Sequence, residues 1–150
     1  MIIKKQNIFE VAPAYDAICV TTNGIVTQKS KLVMGAGVAR QFRDNYPGLD
    51  YELGQKVTTY GNQVFLVYKN KQPIISFPTK YHWKDKSDID LIVDSAKKLV
   101  KITQSRFWVK VALPAPGVGK GGLSWKSQVY PALKDILDDR FHILFYKESK

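Results

Sequence analysis

Two glycine-rich segments have the clearest potential for chemistry in this sequence. Four of the ten glycines lie within residues 117–122, which read GVGKGG. Glycine inside a chain costs conformational entropy, so such a cluster indicates a backbone that needs positive φ or a close approach by another group. Residues 34–37, MGAG, lead into a helical pattern and leave its first N–H groups uncovered by side chains. Because helix N-termini attract negative charge, both segments predict anion binding.

The segment 117–122 does not fit the common nucleotide-binding motifs. A P-loop needs a glycine five positions before Gly119 and a Ser or Thr where this chain has Gly121. Gly117, Gly119 and Gly122 do match G-x-G-x-x-G, but dinucleotide folds carry that motif in their first strand–helix unit. Two glycine-rich cradles at one sheet edge instead predict a diphosphate-bridged nucleotide. For the first segment, close packing of the helix on the sheet is the alternative.

A lysine provides the third feature. Lys80 closely follows the apolar run PIISFP, so its side chain is expected over the same edge of the sheet. Taken alone, a solvated surface lysine is the ordinary explanation.

Strand and helix patterns alternate along the chain, and this order would position the three loops together. Short β-branched or aromatic runs predict strands at 16–22, 62–69, 73–78, 107–114 and 141–146, with weaker candidates at 1–11 and 56–61. Apolar residues at three-and-four spacing predict helices within 35–46, 89–100 and 125–137, with Ser87 or Asp88 capping the second and Ser124 the third. We therefore expect an α/β layered fold with a largely parallel sheet, which binds ligands outside the carboxyl ends of its strands.

Length and composition predict one domain over residues 1–150. Apolar residues make up 45% and charged residues 24%, as in ordinary globular proteins. No apolar run approaches the roughly 20 residues of a membrane helix and the N-terminus is not a signal peptide, so a cytoplasmic setting without membrane contact is expected. The single cysteine, Cys19, excludes an internal disulfide and is expected to be inert. Because the chain has only two histidines besides this cysteine, neither a metal nor a cofactor is expected.

The charge balance favours anionic partners. The chain has 23 Lys and Arg against 13 Asp and Glu, a formal net charge of +10. Such a balance is typical of proteins that bind nucleic acid or phosphorylated ligands, although it also serves solubility alone.

In this order and spacing, VMGAGVARQF, FPTKYHW and PGVGKGGLSW resemble the macro domain, an ADP-ribose-binding family. They are most similar to the branch that holds terminal ADP-ribose glycohydrolases and DNA ADP-ribosyl glycohydrolase antitoxins. The resemblance implies a three-layer fold, in which helices flank a mixed sheet of six or seven strands with ADP-ribose across its upper edge.

The resemblance also implies roles for individual residues. Lys80 matches the lysine that these glycohydrolases use for catalysis, and Asn23 the asparagine that hydrogen-bonds the distal ribose. The implied ligand-binding residues are Asn7, Ile8, Asn23, Gly35, Ala36, Gly37, Val38, Gly117, Val118, Gly119, Lys120, Gly121, Gly122 and Tyr146.

Three features depart from the family pattern. Asn7 occupies the position of the aspartate that most macro domains place against the adenine amino group. The loop between Asn23 and Met34 is longer than usual and carries Lys29 and Lys31; it is either a variable surface loop or a lid or nucleic-acid contact. Gly121 stands where the terminal glycohydrolases have an aspartate, and here the chain agrees with the DNA-directed group, which also has glycine.

The implied chemistry is attack by the Lys80 amine on the anomeric carbon of the distal ribose, as a Schiff-base nucleophile. The partner would be ADP-ribose or an ADP-ribosylated protein or nucleic acid. A binding module without catalysis is one alternative, and a phosphatase acting on ADP-ribose 1″-phosphate through a water near Asn23 is another. His82 and Trp83 are expected to serve packing.

Overall fold

A computed structural model describes residues 1–146; residues 147–150, the end of the predicted domain, lie outside the described residues. Six strands form one sheet, as the α/β prediction requires. The strands are β1 (Ile2–Lys5), β2 (Ala17–Thr22), β3 (Phe65–Lys69), β4 (Gln72–Pro78), β5 (Val111–Pro114) and β6 (Phe141–Phe145), in the spatial order β1-β6-β5-β2-β4-β3. All neighbouring pairs are parallel except β3 with β4, which are antiparallel.

Helices cover both faces of this sheet. They are α1 (Ile8–Val11), α2 (Gly37–Asn45), α3 (Leu49–Tyr60), α4 (Ile89–Ser105) and α5 (Tyr130–Leu133), with a π-helical turn at Trp125–Val129 before α5. Asp88, and not Ser87, caps α4, because its carboxylate accepts hydrogen bonds from the N–H groups of Asp90 and Leu91. Ser124 caps the π-helical turn, as predicted. No helix among residues 1–146 is both long and apolar enough to cross a membrane.

Strand residues alternate between two hydrophobic cores. In β2, Ile18 and Val20 face the core that includes Phe42 of α2 and Leu53 of α3. Cys19 between them faces the second core, which α4 and α5 cover. Because successive side chains of a strand point to opposite faces, this alternation gives three layers with a sheet buried on both sides. Burial raises the pKa of the Cys19 thiol, in keeping with an inert cysteine.

The structure corrects both of the weaker strand predictions. Residues 56–61 are not a strand; they form the last turns of α3 and its C-cap. The N-terminal candidate, 1–11, is a strand only over Ile2–Lys5 and then turns into α1. Val57, Thr58 and Thr59 favour strands by their branching, but a helix here buries Leu49 and Leu53 in the core, and that packing outweighs local preference.

Candidate ligand-binding site

A cavity of about 910 Å³ lies along the edge where the five parallel strands end. Each of these strands contributes residues from its carboxyl end or the loop that follows. In spatial order they are Gln6 and Asn7 after β1, Phe145 and Tyr146 at β6, Pro114 and Ala115 at β5, Thr21 to Asn23 at β2, and Thr79 and Lys80 after β4. Four strand spacings separate the first pair from the last, about 19 Å. The site therefore suits an elongated ligand whose two ends meet different residues.

The two glycine-rich loops lie in the walls of this cavity. Gly37 and Gly119 both have positive φ, 58° and 64°, and a Cβ at either position would meet no atom within 4 Å. The glycine at the start of α2 therefore leaves room open, and close packing of helix on sheet does not account for it. The N-cap residue Ala36 offers no side-chain hydrogen bond to the N-terminal N–H groups of α2. These groups stay available to an anion.

A network of backbone contacts holds Lys80 in place. The Lys80 carbonyl accepts a hydrogen bond of 2.9 Å from the Asn62 side chain. Thr79, the preceding residue, donates its N–H to the Thr22 carbonyl at 2.9 Å and accepts from the Asp88 N–H at 2.8 Å. The only hydrogen bond of the Lys80 ammonium among the described residues is a long one, 3.5 Å to the Trp83 carbonyl. The backbone of Lys80 is thus fixed while its amine stays available at the cavity.

The charged residues of the lining have one sign. Within residues 1–146 the cavity wall contains three lysines, Lys80, Lys84 and Lys120, and no aspartate or glutamate. A concave site lined by charges of one sign concentrates ligands of the opposite sign. The cavity therefore favours an anionic ligand.

Asn23 lies in the wall between the first glycine loop and Lys80, but its side chain already holds the loop. Its Nδ2 donates to the Val33 carbonyl at 2.9 Å, and its Oδ1 accepts from the Ile25 N–H at 2.9 Å. An amide side chain has two N–H donors and two lone pairs, so half of this capacity remains for a ligand.

The far end of the cavity contains Asn7, Ile8 and Tyr146. The Asn7 Oδ1 accepts from the Phe9 N–H at 3.0 Å and so caps α1. The neighbouring side chain has the free acceptor instead, since Gln6 Oε1 is buried without a hydrogen-bond partner. Sequence reasoning considered Asn7 and passed over Gln6.

The structure brings together all but one of the predicted site residues. Gly122 adjoins the cavity but is not part of its lining. For all of them, contact with a ligand stays a prediction. His82 likewise lies outside the lining; its Nδ1 accepts from the Lys84 N–H at 3.1 Å, and its ring stacks on Trp83. Trp83 and Lys84 do line the cavity, and the lysine ammonium lies 5.1 Å from the centroid of the Trp83 ring. They follow Lys80 by three and four residues in the sequence, and this proximity was the signal for them.

The loop after Asn23 forms a short hairpin anchored to α3. Val26 bridges Leu32, the Leu32 N–H donates to the Asp50 carbonyl at 2.8 Å, and Leu32 and Met34 are buried in the core. Lys29 and Lys31 are exposed near its tip. These contacts fix the base of the loop beside the first glycine segment.

Fold and site together define the class: the molecule has the macrodomain fold, as the sequence motifs predicted. The comparison with solved structures includes the macrodomain of Thermus aquaticus DarG, which is 28% identical with a TM-score of 0.73 and is covered over 97% of its length by 98% of this chain. Thermosipho africanus DarTG in complex with ADP-ribose aligns with a TM-score of 0.72 at 22% identity, over 91% of this chain and 39% of that one.

Among curated proteins, the chain is similar to the DNA ADP-ribosyl glycohydrolase of Mycobacterium tuberculosis, at 36% identity over 102 residues. The match covers 63% of this chain and 29% of that protein. The chain thus matches less than a third of that relative's length. No family model matches the sequence.

Proposed function

We propose that this chain binds ADP-ribose in the cavity and hydrolyses the linkage between ADP-ribose and a modified nucleic acid, with Lys80 as the catalytic amine. The observation that carries the proposal is the position of Lys80. Its amine lies at one end of an elongated, positively charged cavity whose walls are the two glycine loops.

The cavity supports an extended orientation for ADP-ribose. The diphosphate would lie between residues 35–38 and 117–121, where backbone N–H groups and Lys120 favour negative charge. The adenine would then lie toward Gln6, Asn7, Ile8 and Tyr146, and the distal ribose toward Asn23 and Lys80. The free Gln6 Oε1 and the remaining Asn7 amide are the polar groups that would meet the base.

The chemistry would proceed through a covalent intermediate on Lys80. The unprotonated amine adds to the anomeric carbon of the distal ribose, and the bond from that carbon to the modified group breaks as the leaving atom takes up a proton. The bond from that carbon to the ring oxygen then breaks: the ring oxygen takes up a proton while the nitrogen lone pair forms the carbon–nitrogen double bond, which gives an iminium ion that keeps one N–H. Water then adds to the iminium carbon, the carbon–nitrogen bond breaks, and the products are free ADP-ribose and the regenerated lysine.

Nucleic acid is the proposed modified target for two reasons. The curated relatives are named DNA ADP-ribosyl glycohydrolases. The net charge of +10 and the lysines of the lining suit a polyanionic substrate.

The test compares the wild-type protein with Lys80→Ala in two assays: titration with ADP-ribose, and release of ADP-ribose from an ADP-ribosylated single-stranded DNA oligonucleotide. Removal of the amine should lower the hydrolysis rate by about 100-fold or more. Affinity for ADP-ribose should fall by no more than about fivefold, the usual limit for one solvent-exposed ion pair. Lys97→Ala, an exposed lysine of α4 outside the cavity, is the matched control and should leave both unchanged.

A trapping experiment tests the intermediate directly. Borohydride reduction during turnover should attach the sugar covalently to Lys80, and peptide mass spectrometry should find the adduct there and not on Lys84. Hydrolysis that survives Lys80→Ala while ADP-ribose still binds would refute the catalytic role. Binding without hydrolysis by the wild type would leave a non-catalytic binding module, and release of phosphate from ADP-ribose 1″-phosphate alone would leave a phosphatase.

A further inference from the structure

One buried hydroxyl in the cavity wall lacks a hydrogen-bond partner. Four buried side-chain atoms among residues 1–146 are without partners: Gln6 Oε1, Asn62 Oδ1, Ser87 Oγ and Thr103 Oγ1. Ser87 is only 6% exposed, and it lies in the lining beside the second glycine loop. Native proteins satisfy nearly all buried polar groups, so an unpaired one at a ligand site requires an explanation.

The backbone around Ser87 is fixed, and its side chain is what remains free. The Ser87 N–H donates to the Gly121 carbonyl at 2.9 Å, and the next residue, Asp88, caps α4 and donates its N–H to the Thr79 carbonyl. Since Asp88 caps α4, the Ser87 hydroxyl does not hydrogen-bond the N-terminal N–H groups of the helix. It is held between α4 and the second glycine loop.

The glycine loop rests directly on this hydroxyl. A Cβ at Gly121 would overlap Ser87 Oγ, so the loop and the hydroxyl are in close contact. Within the loop, the 3-10 turn at Gly119–Gly121 has internal hydrogen bonds of 3.1 and 3.2 Å, and the loop is closed by the Leu123 N–H, which donates to the Gly117 carbonyl at 2.9 Å. Its glycines have wide conformational freedom, so a bound anion can reorient peptides of this loop, and each such change would alter what Ser87 Oγ meets.

We propose that Ser87 is a positioning residue for the diphosphate-binding loop. Its hydroxyl has no hydrogen-bond partner in the free protein. It gains one when a bound anion draws the N–H groups of residues 119–122 toward the anion and so reorients the loop peptides beside Ser87. This inference rests on the proposed binding of ADP-ribose. A hydroxyl can donate and accept, so it can pair with a reoriented loop peptide or with a phosphate oxygen. Ligand binding would then remove the cost of an unpaired buried group, which favours the bound state.

Ser87→Ala should lower the affinity for ADP-ribose without lowering the stability of the free protein. Ser87→Ala removes a hydroxyl that is unpaired in the free protein, so the melting temperature without ligand should stay the same or rise. The variant should bind ADP-ribose about tenfold more weakly, because the bond gained on binding is lost. Differential scanning calorimetry and calorimetric titration measure the two quantities on the same preparations.

Thr103→Val is the matched control. Thr103 is fully buried in α4 with an unpaired hydroxyl of the same kind, but it lies outside the cavity lining. Its removal should leave the affinity unchanged. An equal loss of affinity in this variant would overturn the proposal, because the effect would then not be local to the glycine loop.

Two further results would overturn it. Affinity for ADP-ribose within about twofold of the wild type in Ser87→Ala would show that the hydroxyl gains nothing on binding. A lower melting temperature without ligand would show that the hydroxyl already has a partner in the free protein. Failure of the wild type itself to bind ADP-ribose would refute the proposed function as well, whereas the other outcomes concern Ser87 alone.

Discussion

At the scale of single residues, several site side chains also serve the backbone that presents them. Asn23 closes its own loop, and Asn7 caps α1. Their types fit ligand binding, and they fit local structure equally well, because Asn side chains hydrogen-bond neighbouring peptides readily. Substitution of such a residue therefore changes stability and binding together unless the two effects are separated.

Asn7→Ala should separate them. We expect this variant to lose about 1 kcal/mol of unfolding free energy, because the Phe9 N–H loses its acceptor at the start of α1. Asn7→Asp keeps an oxygen acceptor and should retain most of the stability. Urea unfolding of the two variants and the wild type measures the difference. If Asn7→Ala unfolds at the wild-type urea concentration, the cap contributes nothing and the side chain belongs to the ligand alone.

Residue types and spacing were enough to predict which loops line this cavity, while ligand contact at their residues stays a prediction. Both glycine loops, Asn23 and Lys80 follow strands that are visible in the sequence, and parallel strands bring such loops to one edge. The sequence could not reveal Gln6 and Ser87. Both have a buried side-chain oxygen without a hydrogen-bond partner, and whether an oxygen lacks a partner depends on the neighbours that the fold brings to it. The choice between Ser87 and Asp88 as the cap of α4 was of this kind.

At the scale of elements, α3 is the helix whose last turns were wrongly predicted as a strand. Its last turns contain Val57, Thr58 and Thr59, and local preference pointed to a strand. The helix exists because Leu49 and Leu53 fill the core and because it supports the hairpin that follows Asn23. Long-range packing of this sort leaves no periodic pattern in the sequence, so α3 was not predictable, whereas the centres of strands β2 to β6 and the more regular helices were.

Gly54 is where α3 meets that hairpin, and Gly54→Ala tests the contact. Helix preference alone would make alanine stabilising by almost 1 kcal/mol. A Cβ here would instead overlap the Ser30 carbonyl oxygen and lie 2.8 Å from the Leu32 nitrogen. We expect a net loss of about 1–3 kcal/mol, as for other overpacked sites. ADP-ribose affinity should fall as well, because the hairpin leads into residues 35–37.

Gln55→Ala provides the comparison for this prediction. Gln55 is the exposed neighbour of Gly54 in the same helix, so its substitution changes helix preference without touching the hairpin. It should leave unfolding and binding near the wild-type values. A Gly54→Ala protein that is more stable than the wild type would mean that the hairpin does not rest on α3 in solution.

At the scale of the whole molecule, the distribution of charge predicts how a nucleic-acid substrate differs from free ADP-ribose. The chain carries a net charge of +10, and three of its lysines line the cavity wall, which has no carboxylate among the residues described. Free ADP-ribose presents only its diphosphate, so few counterions are released when it binds. An ADP-ribosylated single strand presents further phosphates to the lysines at the cavity and should release more.

The two ligands should therefore respond differently to salt. The logarithm of the binding constant should fall with the logarithm of salt concentration by about 0.7 for each phosphate contacted, and more steeply for the ADP-ribosylated oligonucleotide than for ADP-ribose. Titrations of Lys80→Ala avoid turnover during the measurement. In that background Lys84→Gln should reduce the oligonucleotide slope by about 0.7, the contribution of one phosphate contact. Lys97→Gln, outside the lining, should not change it. Equal slopes for the two ligands would show that the protein contacts only the ADP-ribose group. The positive charge of the chain would then give no support for nucleic acid as the modified target.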